Sequence, residues 1–103
     1  MTLVIRDVRE HELDSVLALN NAVGPRILPL DSAGVRWFFT HAEYFRIAEI
    51  DGVIAGFLIA LRETSSYSSP NFLWFRERYP KFLYIDRIVI AESYRRHGLG
   101  RIF

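Results

Sequence analysis

Near one end of the chain, Arg95, Gly98 and Gly100 spell R-x-x-G-x-G directly after an apolar run. Glycines at that spacing let backbone approach an anion closely. The N–H groups of a helix's first turn can then bind phosphate, helped by the macrodipole. A pyrophosphate suits such a cradle. Taken alone, the pair is equally a plain strand-to-helix turn, so its neighbours must decide. No Gly-Lys-Ser/Thr follows, which excludes a Walker loop.

Upstream, Asp86 sits in the strand-like run "KFLYIDRIVI". Period-two alternation sets Phe82, Tyr84, Asp86, Ile88 and Ile90 on one side and Leu83, Ile85, Arg87 and Val89 on the other. An inward carboxylate at Asp86 could take a proton from an ammonium, directly or through water. The competing reading is an ion pair with Arg62 or another nearby arginine. Glu49 and Glu63 are weaker bases, because carboxylates at strand ends are usually solvated. Tyr67, Phe72, Trp74, Phe75 and Tyr79 crowd the segment before this strand, and Tyr67, Trp74 and Tyr84 are the aromatics expected to line a substrate pocket. Phe72 and Phe75, at i, i+3, suit a helix's core face instead. His11, His41 and His97 lack metal-ligand spacing and read as surface histidines; no metal is expected.

The elements that must hold these residues follow from periodicity. "TLVIRDV" reads as a strand, and Asp7 with Glu10 as a capping-box variant opening a helix to about Val23, ended by Gly24-Pro25. Leu13, Val16 and Leu17 mark its apolar face, widened by Leu19 and Val23. Asp31 or Ser32 caps a second helix with Val35, Phe38, Phe39 and Ala42 at i, i+3, i+4, i+7. "YFRIAEI", Asp51-Gly52 and "VIAGFLIALRE" form a hairpin on a type I′ turn, with a second strand apolar on both faces and therefore central in a sheet. Ser69-Pro70 caps and starts a short helix to about Arg78. The order is β-α-α-β-β-β, which disfavours a dinucleotide-binding β-α-β start.

The 103 residues are 50% hydrophobic, with 13 Lys plus Arg against 12 Asp plus Glu, and no cysteine. Such balance gives no global attraction to nucleic acid, and no apolar run approaches membrane-spanning length. Without a signal-like leader or disulfides, the expected location is cytoplasmic. No repeat or linker divides the chain.

The element order, the hairpin "FRIAEIDGVIAGFLIAL" and the run "RIVIAESYRRHGLGR" resemble the Gcn5-related N-acetyltransferase (GNAT) superfamily. "YSSPN", "WF" and "DRI" are similar to motifs of a bacterial subgroup of predicted acetyltransferases. The resemblance implies an α+β fold with a mixed, mainly antiparallel sheet, acetyl-CoA as cosubstrate, and acetyl transfer to a primary amine on a small molecule or peptide. It implies that the N–H groups of Arg96, His97, Gly98, Leu99, Gly100 and Arg101 hold the pyrophosphate. Arg95 is then the loop's first basic residue, and the backbone of Ile88, Val89 and Ile90 bonds the pantetheine arm. Glu92 departs from the family's frequent proline and adds negative charge near the phosphates, and Arg96 stands where glycine is common. By the resemblance, residues 1–103 form a single acetyltransferase domain truncated just after its fourth strand. Self-association through that strand's open edge is then expected. The alternative function is a non-catalytic acyl-CoA-binding or interaction module.

Overall fold

The structure is a computed structural model and describes residues 2–22 and 27–91. Its order is β1 (Leu3–Asp7), a 3-10 turn at Glu10–Glu12, α1 (Leu13–Ala22), α2 (Ser32–His41), β2 (Tyr44–Ile50), β3 (Val53–Arg62), α3 (Pro70–Arg78) and β4 (Leu83–Ile90). The four strands form one sheet in the order β1-β2-β3-β4, each neighbour antiparallel.

Local chemistry accounts for most boundaries. The Asp31 side chain accepts from the Gly34 N–H at 2.7 Å, and Ser69 accepts from the Phe72 N–H at 3.3 Å with Pro70 following, so α2 and α3 each begin on a cap. Asp51 and Gly52 both hold positive φ, 50° and 82°, as a type I′ turn between β2 and β3 demands. The start of α1 differs from the sequence expectation. Asp7 is the last residue of β1, paired with Arg46, and it is Glu12, not Glu10, that reaches back to accept the Arg9 N–H at 2.9 Å. Continued pairing with β2 carries the strand through Asp7 and so delays the helix.

The three α-helices of the described residues cover one face of the sheet. Leu13 and Val16 from α1, Val35 and Phe38 from α2 and Phe72 from α3 pack on Phe45, Ile47, Phe57, Ile59, Leu61 and Val89. At roughly 1.5–3 kcal/mol for each fully buried large apolar side chain, this layer is the main source of stability. On the opposite face a smaller cluster, Ala48, Ile50 and Ala55, is joined by Leu3, Ile5 and Ile90. β3 is buried along nearly its whole length, in agreement with its two-sided apolar sequence.

Strand β4 departs from simple alternation. Its register with β3 runs Phe57↔Val89, Leu58↔Ile88, Ile59↔Arg87 and then Ala60↔Ile85, which leaves Asp86 as the extra residue of a β-bulge. One inserted residue reverses which side chains face the helices. Phe82 and Tyr84 pack towards the helical layer before the bulge, and Arg87 and Val89 are buried after it. Leu83, Ile85 and Ile88 are exposed on the other face. Ile88 therefore does not share a side with Tyr84, as strict alternation requires, and Arg87 does.

Candidate active site

The bulge brings two adjacent charged residues to the helix-covered side of the sheet. The Asp86 and Arg87 side chains are each 7% exposed, and Arg87 Nε donates to Asp86 Oδ2 at 2.8 Å. Of the alternatives open in the sequence for Asp86, the ion pair is present, but its partner is Arg87. Arg62 instead pairs with Glu43 at the surface. The other carboxylate oxygen is also engaged: the Tyr67 hydroxyl donates to Asp86 Oδ1 at 2.7 Å.

Arg87 carries the network further. Its Nη1 donates to Asn20 Oδ1 at 2.9 Å and to the Leu28 carbonyl at 3.0 Å, and its guanidinium lies 5.5 Å from the Phe38 ring centroid. Asn20, almost wholly buried on α1, donates from Nδ2 to the same Leu28 carbonyl at 3.0 Å. Next to it, Asn21 exchanges hydrogen bonds with the backbone of Leu30, accepting from its N–H and donating to its carbonyl, both at 2.9 Å. Leu28 is thus tied to α1 and to the bulge of β4, and Leu30 to α1, by polar groups that would be costly to bury unpaired. The aligned hydrogen bonds also fix the Asp86 carboxylate in one orientation.

Tyr67 is the aromatic that joins this network. Its ring lies 5.5 Å from both Trp37 and Phe38 and 5.7 Å from Phe72. Burial, then the hydrogen bond to Asp86, pushes its phenol well above the usual tyrosine range, so it is neutral throughout the physiological range. Tyr84 is half-buried and packs on Phe72 and Phe75. Trp74 is set apart from the Asp86 group. It is 46% exposed, contacts Phe75 and Tyr79, and carries Arg78 over its ring at 4.0 Å. Of the paired Phe72 and Phe75, only Phe72 is fully buried; Phe75 is 38% exposed among the other rings.

The weaker carboxylates have other environments. Glu49 accepts from Arg6 Nη2 at 2.7 Å, beside the bidentate pair of Arg6 with Glu12. Glu63 is not simply solvated: its Oε2 is buried with no hydrogen-bond partner among the described residues. His41 stacks on Trp37 at 4.5 Å, and among the described residues no group of three or more His, Asp or Glu could hold a metal. Concavities of about 490 Å³ beside Arg6 and Glu49 and about 440 Å³ beside Glu10 and Arg36 are wide-open grooves that include neither Asp86 nor Tyr67. The first groove is lined by the Arg6–Glu12–Glu49 network, but it lies apart from β4, the strand that runs towards the R-x-x-G-x-G motif.

Ile88, Val89 and Ile90 form the end of β4, whose only neighbour among the described strands is β3. The cradle, Arg95, Arg96, His97, Gly98, Leu99, Gly100 and Arg101, lies outside the described residues, as does Val23.

The sequence matches the model of the acetyltransferase (GNAT) family over residues 5–102. The chain belongs to that family. Among solved structures it is similar in fold to AAC(6')-Iy in complex with the bisubstrate analogue CoA-S-monomethyl-acetylneamine, with a TM-score of 0.68 at 19% identity. The match covers 99% of this GNAT chain and 66% of the other, so the chain spans just under two thirds of that protein's length. No curated protein matches the sequence. No helix among the described residues is long and apolar enough to cross a membrane.

Sequence reasoning found Asp86 and Tyr67 separately but missed Arg87 and Asn20. Both are polar residues at positions of an apolar pattern. The one available signal was that "DRI" sets two opposite charges side by side within an apolar strand.

Proposed function

We propose that the protein is an acetyl-CoA-dependent N-acetyltransferase acting on a primary amine, in which Asp86 is the proton acceptor. The observation that carries this is the buried Asp86 carboxylate, held by Tyr67 and Arg87 at a bulge in the strand that precedes the R-x-x-G-x-G motif in sequence. Family membership supplies the reaction class. Support for a small-molecule amine comes from the structural neighbour, whose bound analogue joins CoA to acetylneamine.

Acetyl-CoA, when bound, supplies the activated acetyl thioester. One feature of the described residues and one of the sequence suit such a group. An extended arm can add to the edge of a strand by backbone hydrogen bonds, and β4 has a strand on only one side among those described. Ile88 and Val89 would provide that edge. The glycine turn would hold the phosphates through the N–H groups of residues 96–101, with Arg95 adding positive charge. An amine must lose a proton before it can attack, and a fixed carboxylate shielded from water is suited to receive it. Alignment of amine and thioester supplies the remaining rate advantage.

The test is thiol release from acetyl-CoA with a polyamine, an aminoglycoside and a lysine peptide as acceptors. The wild-type chain should turn over at least one. Asp86→Asn should lower kcat at neutral pH by about 10²-fold, with little change in affinity for acetyl-CoA. Acetyl-CoA binding without turnover of any acceptor would favour the non-catalytic module instead.

A further inference from the structure

Asp86 is poorly placed to meet a substrate by itself. Its side chain is 7% exposed, Oδ2 is taken by Arg87, and Oδ1 is covered by the Tyr67 hydroxyl at 2.7 Å. Among the described residues, the groups around the phenol are few. From β4, Asp86, Arg87 and Tyr84 face it. From α2 come the rings of Trp37 and Phe38, with His41 stacked behind Trp37, and from α3 comes Phe72. No other described group bonds the phenol oxygen, which donates its one proton to Asp86 and keeps lone pairs to accept.

We infer that Tyr67 is a second catalytic residue, whose hydroxyl passes a proton from the substrate ammonium to Asp86. This rests on the acetyltransferase reading above. In the step, an N–H bond of the ammonium breaks and its proton goes to the Tyr67 oxygen, while the phenol's own proton moves to Asp86 Oδ1. The nitrogen keeps its electron pair, the phenol is regenerated and the carboxylate becomes a neutral acid. Its proton later returns to solvent through the same hydroxyl. The two transfers are concerted, because a free phenolate is disfavoured where burial and a neighbouring carboxylate both oppose it. Arg87 balances the resting charge of Asp86 and keeps Oδ1 turned towards Tyr67.

Tyr67→Phe removes the oxygen and leaves the ring to pack on Trp37, Phe38 and Phe72, so the fold is retained. With the best acceptor amine, kcat/KM at pH 7 should fall about 10²-fold while the KM for acetyl-CoA stays within about twofold. Most of the loss should vanish above the amine's own pKa, where the substrate arrives deprotonated. In an Asp86→Asn background, Tyr67→Phe should cost less than about threefold, because both act on one proton path. A pH-independent loss, full activity, or multiplicative losses in the double variant would overturn the relay and leave the enzyme assignment standing. No turnover by the wild-type chain with any amine would overturn both.

Discussion

Gly56→Ala tests how closely β3 and β4 must approach. A Cβ at Gly56 would lie 2.7 Å from the Val89 carbonyl oxygen and 3.4 Å from Ile90 Cα. Real Cβ atoms essentially never come under 3.0 Å, and ordinary contact begins at 3.4 Å, so the strands must part by several tenths of an ångström. The obstacle is backbone and cannot swing aside. Parting the strands strains the pairs Gly56↔Ile90 and Phe57↔Val89 and the hydrogen bond from the Ala91 N–H to the Ala55 carbonyl, now 2.8 Å. A shift of about 0.7 Å would stretch that bond to about 3.5 Å, where little of it remains. Overpacking of this kind costs about 1–3 kcal/mol. Replacing glycine within a strand returns about 0.5–1 kcal/mol of unfolded-state entropy. At the middle of that overpacking range, about 2 kcal/mol, the net loss is about 1–1.5 kcal/mol, or a fall in Tm of roughly 4–12 °C for a domain this small. Circular dichroism melts, with urea titration as a check on two-state behaviour, measure it. Since Val89 lies on the proposed acetyl-CoA edge, calorimetry should also show weaker CoA binding. A variant melting within 2 °C of wild type would refute the close-approach argument.

Two further outcomes follow from other parts of the molecule. Replacing Gly98 or Gly100 by a bulky residue should abolish CoA binding; unchanged calorimetric affinity in both variants would remove the cradle assignment. The bidentate hydrogen bonds from Arg6 hold the Glu12 carboxyl at about 2, below its ordinary 4.5. A depressed folded-state pKa means stability that is fully present above pH 4.5 and lost as pH falls towards 2. The full shift corresponds to ~3 kcal/mol, and screening at the partly exposed Arg6 reduces it to about 1–2. Glu12→Gln should therefore be less stable than wild type at pH 7 and nearly equal to it at pH 2 in urea titrations; an equal gap at both pH values would show that Glu12 stabilises through packing alone.

Sequence alone determined what depends on a few consecutive residues. Asp51-Gly52 fixes its turn because both positions need positive φ. Asp31 and Ser69-Pro70 start their helices because an unpaired helical N–H lies within reach of the capping oxygen. The runs of β2 and β3 show their burial because alternation and two-sided apolarity report directly on the sheet. Family membership was legible for the same reason, since the hairpin sequence and the R-x-x-G-x-G motif are contiguous.

Tertiary structure decided the face on which each residue of β4 lies. Alternation read through "LYIDRIVI" grouped Asp86 with Ile88 and set Arg87 opposite. The bulge exists only in the pairing with β3, and it brings Asp86 and Arg87 to one side. Asn20 and the Leu28 carbonyl reach Arg87 across 67 and 59 residues of chain, a distance no local period encodes. A buried arginine is tolerated only where separate elements supply its acceptors, so Arg87 acquires its position, and Asp86 its orientation, from contacts that the folded chain alone creates.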